Sequence, residues 1–383
     1  MSLYFKLSSF YFFYFALLGG FAPYWGLYLE DAGFNLIEIA QITSILMVTK
    51  VLAPNAWAWV GDHYGKRLEL VRCGAFLTLL CFLAFYLHTG FWWYVLVMAL
   101  FSFFWNAVLP QFEVITLYSL GDKRERYSQV RLWGSIGFIA SVVLLGWVFD
   151  HISISYLRDF LLAIIIFIAL ASLFSFSQPA RTQLRKRGSF VRALKSPLVI
   201  SFLLINFLLQ LSHGPYYTFY SIYMEDLGYG RSTIGILWAV GVIAEVLLFI
   251  VMHRLLRRFS LRRIVIVSLV LTTIRWLLVG SFSDVLFIVV LAQLIHAASF
   301  GAMHAVAMHF VHHNFSADNQ GQGQAIYSSV SFGAGGALGA LLSGLIVTDY
   351  GSAMAFNLAA IASAVALLIA CLVFKEKMSE IST

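Results

Sequence analysis

Charge is what this chain has least of. Asp, Glu, Lys and Arg make up 11% of its 383 residues, whereas soluble globular domains carry roughly a quarter. So few charges cannot cover a 43.0 kDa particle in water, which excludes a water-soluble globular protein. Cysteine is scarce as well: Cys73, Cys81 and Cys371 lie in apolar stretches without metal or redox spacing. Also missing are the phosphate-cradling loop of ATPases, the His-Glu pattern of metalloproteases and the Gly-x-Ser-x-Gly elbow of hydrolases. Their absence argues against a primary pump and against an intramembrane enzyme. No cleavable signal is visible: the first apolar block carries Phe10, Tyr11, Phe12, Phe13 and Tyr14 with no small-residue cleavage site, so it reads as a span.

What the sequence has is apolar residues, 61% of the total, in blocks long enough to cross a bilayer. Twelve are expected, near residues 6–29, 36–60, 69–88, 91–120, 127–150, 156–177, 198–224, 232–254, 262–281, 284–312, 319–347 and 351–374. The expected class is an all-α integral membrane protein. A net charge of +7 and a pI near 9.3 would suit a nucleic-acid partner, but the placement of the basic residues speaks for a lipid bilayer instead. With both termini cytoplasmic, 21 of the 25 Lys and Arg fall on that side, Arg158 and Arg231 fall outside, and Lys50 and Arg275 fall within spans. This bias fixes the orientation expected of a multi-pass protein of the bacterial inner membrane.

The longest polar stretch, Gln178 to Ser196, follows six of the twelve spans. It divides the chain into an N-terminal half (1–177), a cytoplasmic linker (178–197) and a C-terminal half (198–383). At an offset of 195 residues, Tyr28, Glu30, Asp31, Gly33 and Phe34 meet Tyr223, Glu225, Asp226, Gly228 and Tyr229, the mark of an internal duplication. Two six-span halves in parallel repeat, with a cavity between them at the bilayer midplane, form the architecture of one large transporter class.

An ionisable group in hydrocarbon costs at least about 2.5–3.5 kcal/mol, so each needs a partner, a wet cavity or a function. Lys50 lies twelve residues from both Glu38 and Asp62, about 18 Å from each end of its span, and is expected to line the cavity. Residues equidistant from a helix-hairpin turn share a depth. Glu113 and Arg131 are centred on Asp122, and Glu245 and Arg275 on Ser260, so each acid is expected to face its arginine. Such pairs either neutralise each other or exchange one charge for a proton or a substrate. Gln293, His296 and Phe300 share one face of span ten, and an imidazole titrates near neutral pH. Tyr24 and Tyr28 after Pro23, and Gln210, His213 and Tyr217 beside Pro215, form polar-aromatic faces suited to an amphipathic aromatic ligand. Gly333, Gly335, Gly336 and Gly339 sit in a lipid-length block with no strand before them and read as close helix packing. His309, His312 and His313 have no acidic or thiolate companion, and no metal is expected there.

These residues resemble the major facilitator superfamily, and within it the lactose permease and phenylpropionate permease branches. The likeness is carried by Val130 to Ser135 with Glu113 eighteen residues before Arg131, by Gly214 to Tyr217, Ala244 to Val246, Arg275-Trp276 and Gln293 to His296, and by His304 and Gln324 to Ser328. Asp62, His63, Tyr64, Gly65, Lys66 and Arg67 resemble the superfamily's loop signature, with Ala58 in place of its leading glycine. The resemblance implies Glu245, Arg275 and His296 as the proton-coupling network, Lys50, Glu113 and Arg131 in the binding cavity, and Asp62, Gly65, Lys66 and Arg67 as a gating loop. Ser299 stands where lactose permease carries a further acid. The expected function is proton-coupled import of a small organic solute by a monomer that needs no cofactor beyond the proton gradient. An aromatic carboxylate such as 3-phenylpropionate fits the cations and aromatic faces, a sugar or nucleoside fits Glu113 beside Arg131, and a proton-driven exporter would share the fold.

Overall fold

The computed structural model describes residues 2–174, 176, 194–316 and 319–374. Twelve helices are long and apolar enough to cross a membrane: α1 (Leu3–Asp31), α2 (Leu36–Tyr64), α3 (Arg67–Tyr86), α4 (Phe91–Lys123), α5 (Tyr127–Phe149), α6 (Ile154–Ser172), α7 (Pro197–Asp226), α8 (Arg231–Arg258), α9 (Leu261–Phe282), α10 (Leu286–Asn314), α11 (Gln320–Tyr350) and α12 (Ser352–Leu372). No strand occurs among the described residues. Several helices outrun their apolar blocks, α2 by four residues to Tyr64 and α8 by four to Arg258. Hydropathy reports the hydrocarbon slab, whereas the backbone stays helical beyond it until a cap or a turn residue intervenes. At α2 these are an Asn35–Glu38 capping box at the start and Gly65 at φ 71° at the end. Most of the 178–197 linker lies outside the described residues.

The duplication read in the sequence is repeated in the backbone. After α1, the amide of Gly33 bonds the carbonyl of Glu30 at 2.9 Å and that of Phe34 bonds Leu29 at 3.1 Å; after α7, Gly228 bonds Glu225 and Tyr229 bonds Met224 at the same distances. Both glycines have positive φ, 90° and 86°, a conformation that side chains with a Cβ rarely adopt. Within each half the first helix packs on the fifth with almost nothing between them. A Cβ on Gly137 would come 2.1 Å from the Phe12 carbonyl, and one on Gly335 would come 2.6 Å from that of Phe207. The glycine run of α11 is therefore a packing surface.

Both described ends of the chain, and Leu194 entering α7, lie on one face of the bundle, called here the terminal face. The halves meet most closely toward the other face, where α5 packs on α8 and α2 on α11. Tyr24 donates to the Val142 carbonyl at 2.6 Å, and a Cβ on either Gly146 or Gly235 would lie 2.6 Å from that tyrosine oxygen. On α11, Gly344 presses on Ala40 of α2 in the same way. The α5–α8 seam ends in reciprocal capping. Arg231 donates to the last carbonyls of α5 through Phe149 at 3.2 Å and pairs with Glu225 at 2.7 Å, while Asp150 accepts from the amide of Ser232 at 3.2 Å and from its hydroxyl. Each charge faces the helix end of opposite partial charge.

On the terminal face, Arg67 pairs with Asp62 and donates to Gln111 at 2.5 Å, tying the α2–α3 loop to α4. Lys66 is exposed and pairs with Glu69 at 3.4 Å. Arg72 caps the end of α6 through the carbonyls of Ser172 and Leu173, and Arg262 caps α12 through Cys371. The residues expected to form a gating loop are thus brought together, with Lys66 at the rim.

In a background free of native cysteines, Asp150→Cys with Ser232→Cys should cross-link α5 to α8. Adding Gly146→Leu, which wedges the seam, should lower the cross-linked fraction several-fold; an unchanged yield would show that close approach at Gly146 does not hold this face shut.

Candidate functional site

The site is built around three irregularities in otherwise regular helices. In α7, Pro215 has no amide hydrogen to donate, and the helix is interrupted at His213 between segments Pro197–Ser212 and Gly214–Asp226. In α10 and α11, the stretches Ala297–Ala302 and Ser329–Gly335 widen into π turns, a feature common at functional positions. The α10 turn has a direct consequence. Four residues of α-helix overshoot a full turn by about 40°, and the widened turn rotates back. The rings of His296, Phe300 and His304 therefore stay in line, near-parallel at 13° and 9°, with centroids 5.6 and 6.3 Å apart.

Arg275 on α9 is wholly buried, yet no carboxylate touches it. Its Nε donates to the Ala292 carbonyl at 3.0 Å, Nη1 to Ser299 at 3.1 Å and Nη2 to Gln293 at 3.5 Å. Its guanidinium lies 4.4 Å from the Tyr216 ring and 4.3 Å from that of Trp276, where cation–π attraction strengthens as water is removed. Tyr216 in turn donates to Gln293 at 3.0 Å, and Trp276 to Ser212 at 3.1 Å. Neutral acceptors and π faces thus satisfy the charge.

Glu245 on α8 turns instead to His296, with Oε2 to Nε2 at 4.0 Å, and its side chain is 18% exposed. The expected Glu245–Arg275 pair is therefore not formed. The hairpin argument fixed their depth but not their direction: α8 and α9 scarcely touch, because both pack on α10. Arg275 addresses α10 through Ala292 and Ser299, Glu245 through His296 and the Gly301 backbone. The same correction applies in the first half, since α4 and α5 also have little contact. Glu113 and Arg131 lie within electrostatic reach but form no ion pair within 4.0 Å; Tyr127 donates to Glu113 at 3.4 Å. Arg131 folds back along α5 over Gly134, whose missing side chain leaves it room, and stacks on Phe15 at 3.9 Å. From there it lies within electrostatic reach of Glu245 and His304 in the other half.

Lys50, partly exposed on α2 next to the α11 seam, has no charged side chain within electrostatic reach among the described residues. Two of the expected aromatic positions are elsewhere. Tyr24 closes the seam described above, and Tyr28 is buried with its hydroxyl on that of Tyr94 at 2.8 Å. Gln210 is buried beside Gly335, while Tyr217 is half-buried, its ring 6.0 Å from His213. His309 and His313 stack on each other at 4.1 Å, and no group able to hold a metal occurs among the described residues. Sequence reasoning did not single out Tyr216, Trp276 or Ser299 as the seat of Arg275. Gln293, three residues before His296, was the one visible signal. His213 is a further member: its Nδ1 bonds the Leu209 carbonyl at 2.8 Å, its ring lies 6.4 Å from that of His296, and its Nε2, with Gln293 Nε2 and His296 Nδ1, is buried without a partner among the described residues.

The family model described as "MFS_1 like family" matches residues 4–358. The chain belongs to the major facilitator superfamily. It is 28% identical over 359 residues, 92% of this chain and 93% of the relative, to the "Probable 3-phenylpropionic acid transporter" of Escherichia coli (strain K12). It is 24% identical to the "Maltose permease" of Geobacillus stearothermophilus, over 96% and 94% of the two chains. Among solved structures it resembles the nucleoside transporter NupG, with a TM-score of 0.86 at 19% identity over 98% of this chain and 100% of that one. This superfamily member is a membrane transporter of small solutes and not an enzyme.

If Arg275 and Glu245 belong to separate interactions of the transporter, the thermal stabilities of Arg275→Gln and Glu245→Gln should add in the double variant to within about 0.5 kcal/mol. A coupling of several kcal/mol in that cycle would restore the direct ion pair.

Proposed function

We propose that this transporter is a proton-coupled symporter that imports a small aromatic carboxylate by alternating access of its halves, with the terminal face in the cytoplasm. The observation that carries this reading is Glu245: a mid-span carboxylate, partly exposed, facing the His296 imidazole at 4.0 Å and bound to no permanent cation. Protonation removes its attraction to Arg131 across the cavity and its contact with His296. That supplies the difference between states that a coupled switch requires. Arg275 holds α7, α9 and α10 in fixed relation around His296. Lys50 and Arg131 are cations without a closed ion pair, and a substrate carboxylate would complete them. The relative named for 3-phenylpropionic acid supports an aromatic acid. The positive-inside bias supports the orientation.

A second reading rests on a different observation. Glu113, Tyr127 and Arg131 together offer an acceptor, a hydroxyl and a fork of donors, a set that recognises sugar or nucleoside hydroxyls.

The test is reconstitution in liposomes with an internal pH dye, adding 3-phenylpropionate, cinnamate, lactose and uridine one at a time. Aromatic acids should acidify the lumen in the parent and not in Glu245→Gln, a control that separates transport from passive entry of the protonated acid. Lys50→Gln should weaken apparent affinity for the acid by about 10-fold or more, the worth of a charge-assisted hydrogen bond. Uptake without acidification would overturn proton coupling; equal acid affinity in Lys50→Gln would overturn the carboxylate assignment, and a response to uridine or lactose would favour the second reading.

A further inference from the structure

The outer side of α8 joins an apolar groove to a cluster of arginines without acidic partners. Val240, Ala244, Leu247, Val251, Arg254 and Arg258 recur at steps of four and three residues, which places them in one stripe along the helix. The four apolar members line a groove of about 520 Å³ with Ile243 and Leu248 of α8, closed by Leu294 and Ala297 of α10. Leu247 is 60% exposed and Leu294 47%, so the groove opens outward. It spans twelve residues of α8 from Val240 to Val251, about 16 Å along the axis, the scale of an extended acyl chain. Its lower end runs into Arg254 within one turn and Arg258 one turn later.

These arginines differ from four other basic residues of the terminal face. Lys66 pairs with Glu69 and Arg67 with Asp62, and Arg72 and Arg262 cap helix ends. Arg254, Arg257, Arg258 and Arg263 have no carboxylate within 4.0 Å among the described residues. The sequence from Val246 to Ser283 contains no Asp or Glu at all. Among the described residues the positive charge at the foot of the groove is therefore uncompensated, and exposed arginines at this level of a membrane protein meet lipid head groups. We propose that the α8–α10 groove is a binding site for an anionic phospholipid, with one acyl chain lying along Val240 to Val251 and the head-group phosphate held by Arg254 and Arg258. Guanidinium forks match phosphate oxygens in pairs, and the apolar groove supplies the length that distinguishes a lipid from a free anion. The lipid would brace α8 on its outer side, opposite the face that presents Glu245 to α10.

Native mass spectrometry of the full chain, delipidated and then offered equal amounts of phosphatidylglycerol and phosphatidylcholine, tests the site. Phosphatidylglycerol should be retained preferentially. Arg254→Ala with Arg258→Ala should lower that retention by about 30-fold, the effect of two cationic contacts, whereas Arg254→Lys with Arg258→Lys, which keeps the charge but not the fork, should give an intermediate loss. Leu247→Trp, which fills the groove and leaves the charges in place, should also reduce retention. Equal retention of the two lipids, insensitivity to the arginine substitutions, or displacement by inorganic phosphate with Leu247→Trp silent would each overturn the proposal, the last in favour of a simple anion patch. A retained lipid in the double alanine variant that Leu247→Trp still removes would overturn the head-group assignment.

Discussion

The seat of Arg275 is the interaction on which the second half of the transporter depends. A guanidinium at the centre of a membrane span cannot snorkel and cannot remain unsatisfied. Here its hydrogen bonds go to the Ala292 carbonyl, Ser299 and Gln293, and its faces to Tyr216 and Trp276. Three helices are thereby locked in register: α9 carries the charge, α10 supplies the acceptors and α7 the aromatic wall. The π turn in α10 belongs to the same construction, since it places Ser299 within reach of Arg275 while keeping His296 on the line that leads to His304. Because the cation is satisfied by neutral groups, Glu245 is left without a permanent partner. The proton carrier proposed here needs that freedom.

A second constraint acts between helices. Lipid offers no hydrophobic drive for helices to associate, so contact rests on close approach of backbones and on a few polar links. The glycines meet this in pseudo-symmetric fashion, Gly137 and Gly335 within the halves and Gly146 and Gly344 between them. Polar locking is uneven by comparison. The α5–α8 seam carries Tyr24, Arg231, Asp150 and Ser232, and the packing of α2 on α11 rests on Gly333, Gly336 and Gly344 against Val51, Met47 and Ala40. One seam is thus latched by charge and the other by shape, which gives the two sides different sensitivities to charge and to bulk.

Much of this architecture was legible in the residues. Apolar length gave twelve spans because the bilayer fixes the length that must be apolar, and the Tyr28–Phe34 repeat anticipated two turns that prove alike bond for bond. The Gly333–Gly339 run was readable as packing because only missing side chains let backbones approach so closely. The pairing of charges was not legible. Equal depth in a hairpin is a property of the chain; which way a side chain points depends on whether the two helices are neighbours, and α10 stands between α8 and α9. Tyr24 and Tyr28 misled for a related reason, since a tyrosine suited to a ligand is equally suited to closing a helix seam or to bonding another buried tyrosine.

What the sequence determined by itself is therefore what depends on composition along the chain: membrane residence, the number of spans, the duplication, the superfamily, and the short set of ionisable residues whose burial would demand a reason. The tertiary structure decided which of those residues meet. Arg275 rests on neutral acceptors and aromatic faces, Glu245 faces His296, and Arg131 stacks on Phe15 of the first helix. Each of these depends on the rotation of one helix against a third that is remote in sequence. No local pattern encodes that rotation, because it is set by the packing of all twelve helices at once.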